Sequence, residues 1–159
     1  MNDLDTYVLC QIAGSHYALR SADILHIDML EHVTPVPNTA PAVEGVVFSR
    51  GQVIPALNLR VRFGLPKEPH TERTRLVFMN VHDRTIALVV DSAREFRRIP
   101  ASTIRPMEET LHGIRGNYIR GVAHVGDRMV LLIDVSAVLD LSETEELSHV
   151  AHAAPPAAL

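Results

Sequence analysis

The chain has 159 residues, 47% of them hydrophobic and 21% charged, with a formal net charge of −4. That length suits one compact domain, or two very small lobes on a common core, burying roughly 68–70% of the unfolded surface, and the apolar content argues against disorder over most of it. The acidic balance leaves no footprint for nucleic acid: the arginines between Arg84 and Arg128 are interleaved with Asp83, Asp91, Glu95, Glu108, Glu109 and Asp127 and read as a mixed solvated face.

The opening MNDLDTY is acidic, with neither the basic leader nor the apolar run of a secretory signal. Strand signals then dominate. Residues 5–12 and 16–20 flank Ala13-Gly14-Ser15 as a hairpin, because glycine supplies the positive φ of a tight turn. Cys10, the only cysteine, sits in YVLCQI and reads as a small buried hydrophobe. A third run spans Ile24 to Leu30, followed by a stiff, irregular loop through Pro35, Pro37 and Pro41. Two apolar runs within residues 44–66 flank Ser49-Arg50-Gly51 as a second hairpin, in which Pro55 marks an edge or a bulge.

The stretch KEPHTER, Lys67 to Arg73, is the most linker-like, and after it the pattern restarts. RLVFMNV and TIALVVD flank His82-Asp83-Arg84 as a third hairpin, Glu95 to Ile99 is a short strand, and Pro100 to Asn117 a long loop. A fourth hairpin turns at Gly126-Asp127. The restart is an internal repeat: Ala18-Leu19 aligns with Ala87-Leu88, Gly45-Val46 with Gly121-Val122, and Asn58-Leu59 with Asp134-Val135. About ten short strands in two similar sets favour two small, nearly closed antiparallel barrels, which removes exposed edges. Short C-terminal helices are expected at Ser136 to Leu141 and Glu143 to Val150, with Ser142 as N-cap, before a frayed AHAAPPAAL tail. No apolar run approaches the ~20 residues needed to span a bilayer.

Catalytic constellations are scarce. The nine histidines form no HExxH, and GIRG at 113–116 lacks the length and lysine of a phosphate loop. No nucleophile elbow or dinucleotide fingerprint is present. Asp91 and Asp134 each close an apolar strand; they read as strand-end caps, and a small hydrolase would need both carboxylates to converge in one pocket.

The segment GVVFSRGQVIPALNLRVRFGLP resembles the central signature of the CheW family, a glycine-valine pair, an Arg-Gly turn and a V-I-P strand leading to RFGLP. YVLCQIAGSHYAL resembles the family's opening hairpin, IALVVDSAREFRRIPASTIRP its middle section, and YIRGVAHVGDRMVLLIDVSAVL its closing strands. The resemblance implies an all-β fold of two SH3-like five-stranded antiparallel barrels on a shared core, over residues 5–140, with an approximate lobe break near 66–73 and a short helix and disordered tail at 141–159. It implies a non-enzymatic cytoplasmic adaptor without cofactor or metal, recruited to membrane-associated receptor arrays. Its partners would be the cytoplasmic tips of chemoreceptors and the regulatory domain of a CheA-type histidine kinase.

By position, the receptor groove would take Ile24, His26, Ala87 and Phe96, and the kinase or receptor interface Arg50, Glu109 and Thr110. The chain departs from the family pattern at Phe48-Ser49, where Asn-Leu is usual, at Asn58, where Asp is common, and at His26, which replaces a commonly acidic residue. A related adaptor serving a surface-motility or biofilm array is the alternative.

Overall fold

Four two-residue turns set the local pairing of the chain. Ile12 faces Ser15, Ser49 faces Gln52, Val81 faces Arg84 and Val125 faces Arg128. In the first three, both turn residues have positive φ: Ala13 and Gly14, Arg50 and Gly51, His82 and Asp83. This is the backbone that matches the right-handed twist of paired strands.

The computed structural model describes residues 4–107 and 118–139. These form β1 (Leu4–Ile12), β2 (Ser15–Arg20), β3 (Ile24–Met29), β4 (Val43–Ser49), β5 (Gln52–Asn58), α1 (Leu59–Arg62), β6 (Arg75–Val81), β7 (Arg84–Val90), β8 (Ser92–Pro100), β9 (Ile104–Pro106), β10 (Ile119–Val125), β11 (Arg128–Ile133) and α2 (Val135–Val138). β8 is longer than the expected strand at Glu95 to Ile99, and the expected loop from Pro100 begins with a 3-10 turn and β9. α2 is a single turn, shorter than the helix expected at Ser136 to Leu141; the expectations for Ser142, 143–150 and the tail lie outside the described residues.

The strands make two sheets, in the orders β8-β1-β2-β11-β10-β9 and β3-β6-β7-β5-β4. Each bends round on itself. In the first, the outer strands β8 and β9 are joined by the three-residue turn Ala101–Thr103. In the second, Thr34 bridges from the segment after β3 to Val46 of β4 through two backbone hydrogen bonds of 2.8 Å. The result is mostly β, two small SH3-like barrels, with six strands in the first sheet and five in the second. Two pairings, β2 with β11 and β5 with β7, are parallel where antiparallel barrels were expected.

The break near 66–73 does not divide the lobes. Both β5 before it and β6 after it belong to the second sheet, while the N-terminal hairpin pairs with β8 and β11 of the first. The two lobes have exchanged hairpins, and the chain crosses from the second sheet to the first at Asp91.

Exchange explains the continuous apolar runs. In β1, β2, β6 and β7, alternate side chains fill opposite faces. Tyr7, Leu9 and Ala18 join the interior of the first barrel, with Ile99, Ala123, Val130 and Leu132. Leu76, Phe78, Ala87 and Val89 join the interior of the second, with Val47, Ile54 and Ala56. The other faces, including Cys10, Ile12, Leu19, Val77, Met79, Ile86 and Leu88, form the core shared between barrels.

The repeat read from sequence has structural meaning at each aligned pair. Gly45 and Gly121 lie at bulges of β4 and β10, where a Cβ would meet the backbone of Thr34 and, at Gly121, the Ile104 side chain and the Arg105 carbonyl. Asn58 and Asp134 cap α1 and α2, their side chains accepting from Val61 N–H and Ala137 N–H. Ala18 and Ala87 are the small residues where parallel strands meet, facing Leu132 and Ala56. Pro55 does not lie on an edge strand. Val46 opposite it spends both backbone groups on Thr34, so Pro55 occupies a non-hydrogen-bonded pair, and pairing of β5 with β7 begins only at Ala56.

Candidate functional site

The residues expected in the receptor groove fall into two groups. Directly opposed residues of an antiparallel ladder project from the same face. Phe96 of β8 is opposite Val8, which is opposite Leu19 of the shared core, so Phe96 projects from the face turned toward the other barrel. Ile24 of β3 is opposite Met79 of the same core and packs against it. Both lie on outer strands, and Phe96 is 70% exposed. Neighbouring Leu25 and Met29 of β3, Phe48 of β4 and Met129 of β11 are large apolar side chains also left in solvent.

His26 and Ala87 belong to another row. His26 is opposite Phe78, and Phe78 is opposite Ala87, across the inner face of the second barrel. The imidazole stacks on the Phe78 ring at 4.2 Å between centroids, is 15% exposed, and has Nε2 3.4 Å from the Asp28 carboxylate. Ala87 is fully buried and offers no surface for direct contact. The pattern TIALVV has no alternation from which this inward orientation could be read.

Arg50 is exposed at the β4–β5 turn, with φ of 51°. On the same hairpin Phe48 borders a cleft of about 470 Å³, with Asp28, Met29, Glu31 and His32 around it and the barrel residues Leu76 and Phe78 at its base. Glu109 and Thr110 lie outside the described residues.

Asp91, Glu44 and Glu95 form structural pairs. Asp91 accepts from Arg60 Nε at 2.9 Å and from its terminal nitrogen at 2.7 Å, and from Ala13 N–H at 2.8 Å. It lines a different cavity from Asp134, whose carboxylate caps α2, so the convergence a two-carboxylate hydrolase requires is not met. Burial pushes the Glu44 carboxyl up, but hydrogen bonds from Asn58 and His70 and the Lys67 charge outweigh it and leave it below its usual value. Glu95 is held at about 2 by Arg128 and Arg97. Burial, then the nearby Asp91 charge, pushes the Cys10 thiol up to about 12, which keeps it protonated and unreactive. No group of three or more potential metal ligands is found among the described residues, and no described helix is long and apolar enough to cross a membrane.

Together these features define an all-β double-barrel domain whose polar groups brace its frame and whose outer strands leave large apolar side chains uncovered. Residues 6–143 match the CheW-like domain, and the chain belongs to that family. It is 33% identical over 128 residues to chemotaxis protein CheW of Helicobacter pylori, covering 80% of this chain and 77% of that protein. With chemotaxis protein CheW of Klebsiella aerogenes it shares 26% identity over 145 residues, 91% of this chain and 87% of the relative. The crystal structure of scaffolding protein TtCheW from Thermoanaerobacter tengcongensis has the same fold, with a TM-score of 0.80 at 24% identity over 87% of this chain and 94% of that one.

Proposed function

We propose that this protein is a non-enzymatic cytoplasmic scaffold that couples the cytoplasmic tips of chemoreceptors to the regulatory domain of a CheA-type histidine kinase, and is recruited by them to membrane-associated arrays. The family membership supports a chemotaxis scaffold: the relatives named above are chemotaxis proteins by name, and the solved structure is that of a scaffolding protein. The observation that carries the reading is the apolar surface of outer strands β3 and β8, above all Phe96. An exposed aromatic on the face toward the neighbouring barrel suits a partner helix laid between the barrels. Ile24 and Phe96 would contact the receptor directly, with His26 and Ala87 shaping the barrel behind them. Arg50 would anchor the kinase or receptor interface, in which Glu109 and Thr110 would also take part by the family resemblance.

Co-precipitation with purified receptor tips and kinase regulatory domain from the same genome tests this. Phe96→Asp should abolish receptor capture and leave kinase capture intact; wild-type capture of neither partner would refute the proposal. His26, standing where the family is commonly acidic, favours a related array for surface motility or biofilm formation as the second reading. Receptors of such an array should then be captured in preference to ordinary chemotaxis receptors.

A further inference from the structure

Among the described residues, two sets of directional contacts between the barrels run through α1 and the residue after it. Arg60 donates a fork of hydrogen bonds to Asp91, the crossover residue between the sheets. The same carboxylate accepts from Ala13 N–H in the β1–β2 turn, while Asp91 N–H donates to Gln11 O at 3.0 Å. One carboxylate thus holds α1 of the second barrel to the first barrel's N-terminal hairpin. One turn along, the Phe63 ring lies between Tyr17 and Tyr118, at centroid distances of 5.4 and 5.6 Å. Much of the remaining joint is the shared apolar core, and apolar attraction is non-directional: it holds two surfaces together without choosing an angle between them. A planar guanidinium on a carboxylate does choose one, because the fork is satisfied only over a narrow range of orientation.

We propose that Arg60 and Asp91 form a clasp that fixes the angle between the barrels, which makes Arg60 a positioning residue for the surface that presents Ile24 and Phe96. The proposal deepens the receptor-binding reading above and rests on it. Arg60 touches no partner in this scheme. Its side chain is 19% exposed and lies at the edge of a cleft of about 470 Å³, beside Gln11, His70 and Ser92. Lysine in its place offers a point charge without the fork and would hold the angle loosely.

The test separates geometry from binding. Spin labels at Asp83→Cys in the second barrel and Met129→Cys in the first, both exposed positions, in a Cys10→Ala background, report the inter-barrel distance by pulsed electron paramagnetic resonance. Arg60→Met should broaden or shift that distribution and Arg60→Lys should do so by less. In the unlabelled protein Arg60→Met should weaken receptor-tip binding about tenfold, the size expected when an interaction remote from the ligand sets its site, with kinase-domain affinity unchanged. Asp91→Asn, which keeps an acceptor for Ala13 N–H while removing the charge, provides the same readout if Arg60→Met does not fold. An unchanged distance distribution in these variants overturns the clasp. An altered distribution with wild-type receptor affinity overturns the positioning role, provided Phe96→Asp abolishes binding. If Phe96→Asp binds like wild type, the groove reading falls, and the distance distribution alone decides the clasp.

Discussion

At the residue scale, Arg50 is the most informative position on the surface. A side chain with positive φ carries a steric cost that glycine does not, and no ion pair holds Arg50 in place among the described residues. Arg50→Gly should therefore keep or raise the melting temperature while weakening partner binding. Arg50→Glu should leave stability within about 0.5 kcal/mol and reduce affinity roughly thirtyfold, as for the loss of an interface anchor worth about 2 kcal/mol. A large loss of stability in Arg50→Glu, or full affinity in both variants, would contradict the assignment. His26→Glu behaves differently: it exchanges a stacked ring for a carboxylate against the Phe78 face, and should lower stability by about 1 kcal/mol as well as shift preference within a panel of receptor tips. The exposure of Arg50 was legible because a two-residue turn must carry its side chains outward. The inward placement of His26 and Ala87 was not, because neither position shows which face of the strand is inner until the neighbouring strands are known.

Among the elements, the hairpins were legible and the sheets were not. Gly14, Gly51 and Gly126 sit in turns between apolar runs, a local signal that needs no knowledge of the rest of the chain. The parallel pairings of β2 with β11 and β5 with β7 join strands far apart in sequence, and nothing in either strand names its partner. The two bulge glycines should separate on mutation. Gly45, at φ of 148°, would drive a Cβ into the Thr34 carbonyl that closes the second barrel, so Gly45→Ala should cost about 3 kcal/mol in urea denaturation. Gly121→Ala meets the Ile104 Cγ2 at 2.9 Å and the Arg105 carbonyl oxygen at 3.0 Å, a milder approach than that at Gly45 and without a positive φ, and should cost less, about 1–2 kcal/mol. Equal costs would show that the two bulges do not share the difference described. The caps also differ: Asp134→Ala removes only the α2 cap, about 1 kcal/mol, whereas Asn58→Ala also strips the buried Glu44 of a donor and should cost more.

For the whole molecule, the shared core makes the barrels one cooperative unit. A single coincident transition by circular dichroism and tyrosine fluorescence is expected, and two resolved transitions would show barrels that unfold separately. Its pH dependence follows from the shifted groups. Glu95 has its folded value lowered from 4.5 to about 2, so its contribution is present above pH 4.5 and is lost as pH falls toward 2; the group is partly exposed, and salt should weaken the effect. Glu44, also lowered, acts in the same direction. Cys10 is raised from 9.0 to about 12, so its contribution is full below pH 9.0 and disappears as pH rises toward 12. Glu95→Gln should flatten the acid limb of the stability profile and Cys10→Ala the alkaline limb; profiles parallel to wild type would reject the assignments.

The exchanged hairpins also govern how the chain can be made. While synthesis proceeds from the N-terminus, β1 and β2 emerge first, yet their neighbours β8 and β11 are encoded more than 70 residues later. The second barrel can close once β7 leaves the ribosome, whereas the N-terminal hairpin must wait, with its apolar faces uncovered, until nearly the whole chain is out. A nascent chain stalled between β7 and β11 should therefore contain a finished second barrel and an orphaned hairpin, the species on which a trigger-type chaperone would act.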